Sequence, residues 1–255
     1  MTIKSDDLSI LRDTTSKVLL AILWLHVPLS AVIGMMRGAD WLLPCMLIAA
    51  MAIAATASWK LSGNGLSTRL IFAVAIMADV SLLVYQLSGH PWQLDMHMYF
   101  FAALACLVAY CDYRPILAGT VAVALHHLTL NFILPAAIYP GGGDFGRVVL
   151  HAVILLIEAG VLIALALKLG QLFDTAARKT AEAETAQAAE ARAHSERTEA
   201  ERQAKHDRDA ARRELAAGFE RKIGSIVEAV AVAVREMQGM SASMRSSSTD
   251  RKSVV

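Results

Sequence analysis

Two adjacent histidines, His126 and His127, stand inside the oily run "AVALHHLTLNFILP", residues 122–135. An unpaired polar group in such surroundings costs several kcal/mol, so each imidazole demands a partner or a ligand. Four more histidines lie in or beside comparable runs, His26, His90, His97 and His151, and the carboxylates Asp79 and Glu158 fall within them. The chemistry open to this set is metal or haem ligation, or proton exchange. Counting at about 1.5 Å per residue places His26, Asp79, His127 and Glu158 near the middle of a ~30 Å hydrocarbon core. His97 comes out about one helical turn further outward and His151 about two. Neighbouring helical residues diverge by about 100°, so only one of His126 and His127 is expected to face inward. The small and polar series Thr120, Ala124, His127 and Asn131 nominates His127, whereas His126 shares its face with Gly119, Val123 and Leu130.

Three arrangements fit these residues. The groups can hydrogen-bond one another and fix helix register with no cofactor at all. They can hold a haem b between His97 and His127, with His151 as the substitute for either, and Phe100, Phe101 and Phe132 around the ring. They can bind copper through Met96-His97-Met98, with Met35, Met36, Cys45 and Met46 at similar depth. Haem ranks above copper here, because the histidines lie on several segments and extend below the outer surface. His97, His127 and His151 are therefore the expected metal ligands; His26, Asp79, His126, Asn131 and Glu158 are the further binding candidates. No GxSxG or HExxH string is present, and no enzymatic role is expected.

What must position these groups is a membrane bundle. Of the 255 residues 56% are hydrophobic, above the share usual in soluble domains. Only 18 of the 47 charged side chains precede residue 171, and all six prolines precede residue 141. Six apolar stretches are long enough to span as helices, at about 17–36, 41–58, 69–88, 95–111, 115–138 and 148–169, the fourth being the shortest. Lys4, Arg12, Lys17, Lys60, Arg69, Arg114, Lys168, Arg178 and Lys179 fall on one side of these spans, with only Arg37 and Arg147 opposite. This bias predicts a multi-pass membrane protein with both termini cytoplasmic. The net charge of +1 offers no basic surface for nucleic acid. Cys45, Cys106 and Cys111 sit in apolar runs and form no disulfide framework.

From Gln171 the composition turns alanine-rich and charged, with helix-favouring pairs such as Glu201 to Lys205. Then Phe219, Ile223, Ile226, Val230, Ala233, Met237, Met240 and Met244 recur in steps of four and three, a seam that predicts a parallel dimeric coiled coil. The expected fold is all-α. Residues 1–16 form an N-terminal segment, 17–170 a six-span bundle, 171–215 a charged helix, 216–245 a coiled coil and 246–255 a frayed end.

The stretch "RRELAAGFERKIGSIVEAVAVAVREMQGMSASM" resembles the start of the cytoplasmic coiled coil of bacterial methyl-accepting chemotaxis proteins. The run from His97 to Gly160 also looks like the polytopic sensor carried by some of them. The resemblance implies a sensory transducer that relays a membrane event to a homodimeric stalk. It has neither the methylation-helix Glu and Gln pairs nor the hairpin tip of that family. A chemotaxis kinase and adaptor are implied as partners only where that tip is supplied. A b-type cytochrome or a proton-coupled transporter would use the same buried groups.

Overall fold

The computed structural model describes residues 5–38 and 40–250. Among them there is no strand, and the long elements are all helices. They are α1 (Ser5–Arg37), α2 (Leu42–Ser62), α3 (Leu66–Gln86), α4 (Gln93–His97), α5 (Tyr99–Cys106), α6 (Tyr113–Ile133) and α7 (Phe145–Asp250). Short 3₁₀ turns at Leu107–Tyr110 and Pro135–Ala137 follow α5 and α6. Six stretches are long and apolar enough to cross a bilayer, the fourth being α4, α5 and the 3₁₀ turn taken together. The described residues form two compact units that divide between Ala183 and Glu184.

In the first unit α3 is the central helix, packed against α1, α2 and α6. Phe72, Ile76 and Val80 on α3 are fully enclosed and share one core with Leu23, Ala52, Leu104 and Ile116 from its neighbours. A polar group on this enclosed face therefore has no access to solvent, and Asp79 is completely buried. Outward-facing apolar residues such as Leu25, Val32, Ile53 and Phe132 are left for lipid to cover.

The two ends of the bundle are tied differently. At one end the Arg37 guanidinium donates to Ser88 O, and both Ser88 Oγ and Gln93 Nε2 donate to Ala136 O. At the other, Arg12 Nε donates to Tyr110 O, Ser16 Oγ bonds Asn64 Oδ1 and Tyr110 Oη, and Arg69 pairs with Asp112. Cys111 joins the 3₁₀ turn to α6 with φ of 51°, a left-handed conformation uncommon for a residue with a side chain. Asp112 then caps α6 by accepting the Arg114 N–H.

The helices run across the segment boundaries drawn from composition. Residues 5–16 are not a separate segment: α1 starts at Ser5, and Thr15 and Ser16 are buried against the bundle. α7 continues through 170 and 215, as a run with no proline and few glycines gives it no point of termination. Residues 246–250 remain helical, and residues 251–255 lie outside the described residues, as does Lys4. In the second unit Phe219, Ile226, Val230 and Met237 are all exposed on the single chain.

Candidate metal centre

Three helices each bring one histidine to a common point. His97 ends α4, where the chain tightens: Met98 N–H bonds Asp95 O and Phe101 N–H bonds Met98 O, the i to i−3 spacing of a 3₁₀ turn. His127 lies on the buried face of α6, and His151 lies in the second turn of α7. Their ring centroids are separated by 4.9 Å (His97–His127), 5.5 Å (His97–His151) and 5.5 Å (His127–His151). One ring nitrogen of each lies within 4.8 Å of the other two, so the three can hold a metal ion.

Hydrogen bonding sets which nitrogens are available. His127 Nδ1–H donates to Val123 O at 2.9 Å, and His151 Nδ1–H donates to Arg147 O at 2.8 Å. A carbonyl only accepts, so both protons sit on Nδ1 and both Nε2 atoms present lone pairs. That is the pattern of metal-binding histidines, whose second nitrogen is held by a carbonyl or carboxylate. His97 Nε2 lies 2.7 Å from His127 Nε2 and donates its proton there, while its buried Nδ1 has no hydrogen-bond partner. An ion that replaces this shared proton needs somewhat more room. Ligands 2.0–2.1 Å from a tetrahedral centre stand about 3.4 Å apart, so the two nitrogens must separate by roughly 0.7 Å.

Aromatic groups enclose the cluster. Phe100 meets His97 and His127 edge-on, at 5.5 and 5.7 Å. Tyr139, in the segment between α6 and α7, stacks on His97 at 6.0 Å and 17°. Its ring is 1% exposed, and Arg147 lies 5.4 Å from the ring centroid. Burial, against the opposing charge of Arg147, pushes the Tyr139 phenol above its ordinary range, so it stays neutral. A cavity of about 180 Å³ adjoins the three imidazoles, walled otherwise by apolar side chains of α5, α6 and α7.

The segment carrying Tyr139 is latched by Asn131, whose Oδ1 accepts the Asp144 N–H at 2.8 Å. Asp144 in turn accepts the Arg147 N–H at the start of α7. Gly143 passes so close that a Cβ there would stand 2.9 Å from Asn131 O. Gly143→Ala is therefore expected to cost about 1–3 kcal/mol through forced displacement of this latch, read as a lower melting temperature in detergent.

The other candidates separate from the triad. His26 and Asp79 form their own buried network: His26 Nδ1–H donates to Asp79 Oδ2 at 3.2 Å, and Tyr99 O–H donates to His26 Nε2 at 2.7 Å. His126 turns toward α3, where its Nδ1 bonds Ser81 Oγ at 2.8 Å. Asn131 serves the latch. Glu158 stands apart, its buried Oε2 without a hydrogen-bond partner. Met35, Met36, Met46 and Met98 are exposed.

His127 is the inward member of its pair, as its face predicts, though Ala124 is exposed and Val123 takes its place in the buried arc. The expected layers differ as well: His127 and His151, placed two turns apart by counting, meet. Depth counting measures from ends that are themselves uncertain by a turn. Tyr99, Tyr139 and Ser81 are site residues that the sequence reading missed. The Tyr99 side chain lies two positions from His97 in an oily run and carried a legible signal; Tyr139 lies in a turn-rich connection and carried none. Comparison with protein-family models, with curated proteins and with solved structures returned no match, so the functional reading stands on these residues.

Proposed function

We propose that this protein is a transmembrane sensory transducer whose bundle binds a transition-metal ion through His97, His127 and His151. The observation that carries the reading is the convergence of three imidazoles, one ring nitrogen of each within 4.8 Å of the other two, with His127 and His151 each bonded through Nδ1 to a main-chain carbonyl so that Nε2 is left as the basic nitrogen. The reading places the chain in a bacterial inner membrane with both termini cytoplasmic, in keeping with the lysine and arginine bias. His151 lies on the helix whose later residues carry the Phe219–Met244 seam. Ligation that draws His151 toward α4 and α6 shifts α7 by a fraction of an ångström to an ångström, and a paired cytoplasmic coiled coil relays the shift. The likeness to chemotaxis receptors supports this direction of signalling.

A bare ion suits the cluster better than haem. The macrocycle must stand between two axial imidazoles, whereas His97 and His127 touch at 2.7 Å. The adjoining cavity of about 180 Å³ is also smaller than the ~300 Å³ from which pockets for drug-sized ligands begin. Among the described residues no carboxylate or thiolate joins the three histidines. With only neutral ligands in a low-dielectric site, a monovalent ion is favoured, since the Born cost falls with the square of charge, roughly fourfold from +2 to +1. Copper(I) meets that condition and accepts imidazole. The electron-transfer reading, which needs haem, loses its support on the same geometry.

Detergent-purified protein, analysed for metals and scanned oxidised and reduced, decides the matter. One ion per chain without a Soret band is the expected result. A Soret band that shifts with dithionite would restore haem, and neither metal nor haem would leave the histidines as structural pairs.

The dimer has its own test. With Cys45, Cys106 and Cys111 replaced by alanine, Ile226→Cys is expected to crosslink to near completion under mild oxidation, and Glu228→Cys, off the seam, is not. Equal crosslinking at both positions, or at neither, would contradict a parallel seam.

A further inference from the structure

We propose that the ion held by His97, His127 and His151 takes its fourth ligand from the bilayer, and that this ligand is a small uncharged molecule soluble in hydrocarbon. The inference rests on the metal reading above and names what the site would sense.

Three protein ligands leave one coordination position open, the arrangement of sites that exchange a ligand. The space beside the imidazoles is the cavity of about 180 Å³, lined by Phe101, Val123, Ala124, Leu128, Ala152 and Leu155. An apolar cavity of about 150 Å³ stays dry and admits benzene or xenon, because a trapped water needs two to four polar partners. Beyond the imidazole nitrogens this lining supplies no side-chain donor or acceptor. Water is therefore a poor occupant of the open position, and a small apolar molecule is a good one.

Access follows from which walls are closed. On the side of the connection between α6 and α7, Tyr139 stacks on His97, and Ile138 and Val148 pack beside it, all buried. The Asn131–Asp144 hydrogen bond holds that cover down. The mouth is instead flanked by Ala124 and Leu128, both exposed on α6 within its membrane-crossing stretch. In a bilayer these residues face acyl chains. A ligand reaching the ion by this route crosses hydrocarbon, which excludes anions and hydrated ions on the cost of desolvating charge. The volume limits the ligand to about one small ring or less.

Carbon monoxide serves as the neutral probe and azide as the anionic one, on protein loaded with copper(I) under strict reduction in lipid nanodiscs. Infrared spectra are expected to show a bound C–O stretch in the wild type and no azide band. Ala152→Phe fills the cavity while leaving all three ligand residues in place. It should retain one copper per chain while its affinity for carbon monoxide falls roughly tenfold or more, about 1.4 kcal/mol. Should that variant lose copper through misfolding, Ala124→Leu, which narrows the mouth from α6, decides by the same measurement. Equal carbon monoxide binding in the wild type and in the copper-retaining variant overturns the cavity route. Azide binding as strong as that of carbon monoxide shows an aqueous opening and overturns it too. Wild-type protein that takes up no copper sinks the metal reading itself, and elemental analysis separates that failure from the other two.

Discussion

His127→Ala is expected to empty the metal centre, with bound ion falling from one per chain to below about a tenth at micromolar protein. Disturbing even the groups that orient a ligand commonly weakens binding 10–100-fold, and His127 is itself one of the three proposed ligands. It touches His97 through Nε2, stacks with His151 and is 5% exposed. Its removal leaves two imidazoles without the residue that draws them together. His126→Ala, one residue away and bonded to Ser81, is the control: it should keep the ion. Elemental analysis of both variants after identical purification checks the pair. A full complement of metal in His127→Ala would show that the ion sits elsewhere.

The largest loss of stability is expected from Asp112→Ala. Asp112 is 5% exposed and does three things at once. Its Oδ2 accepts from Arg69 Nη1 at 2.8 Å, and its Oδ1 accepts from the Arg114 side chain and from the Arg114 N–H, both at 3.0 Å. Truncation leaves the buried Arg69 without its counter-charge, which costs about 3–5 kcal/mol, and removes the cap of α6, about 1 kcal/mol more. The two losses share one side chain and are not expected to add in full. Asp112→Asn keeps an acceptor for the cap and isolates the charge. Its damage should be smaller, and partly relieved in combination with Arg69→Met. Thermal melts of the four proteins in one detergent measure this. A shift under about 1 kcal/mol in Asp112→Ala would mean that water reaches Arg69.

The same carboxylate sets an acid limit. Burial alone would raise its pKa, but hydrogen bonds from Arg114 and the charges of Arg69 and Arg114 hold it below the ordinary value. A depressed native pKa stabilises the fold above the unfolded value, near 3.9, and that stabilisation is lost as pH falls through the native value. The wild-type melting temperature should drop on acidification below about pH 4, and Asp112→Asn should lack that component of the drop.

Much of the architecture was legible in one dimension. Apolar stretches of about twenty residues in a bilayer have one solution, the helix, because no water is present to satisfy a free main-chain group. The six spans follow from that, and so do their connections, from "KLSGNGLSTR" to "YPGGGDFGR". The heptad steps after Phe219 predict a seam by the same local arithmetic, and its residues are exposed on the single chain. Face could be argued as well, since 100° per residue separates His126 from His127 whatever surrounds them.

The sequence by itself determined that His97, His127 and His151 would be helical, enclosed by apolar neighbours and in need of partners. Only the tertiary structure decided that these three meet while His26 and Asp79 join Tyr99 instead. Periodicity is a property of each helix alone. Which helices adjoin, how far each slides along its neighbour, and that a turn residue such as Tyr139 folds back over the site depend on packing between segments distant in the chain. A slide of one turn, about 5.4 Å, exchanges one set of facing residues for another without altering any helix's own pattern.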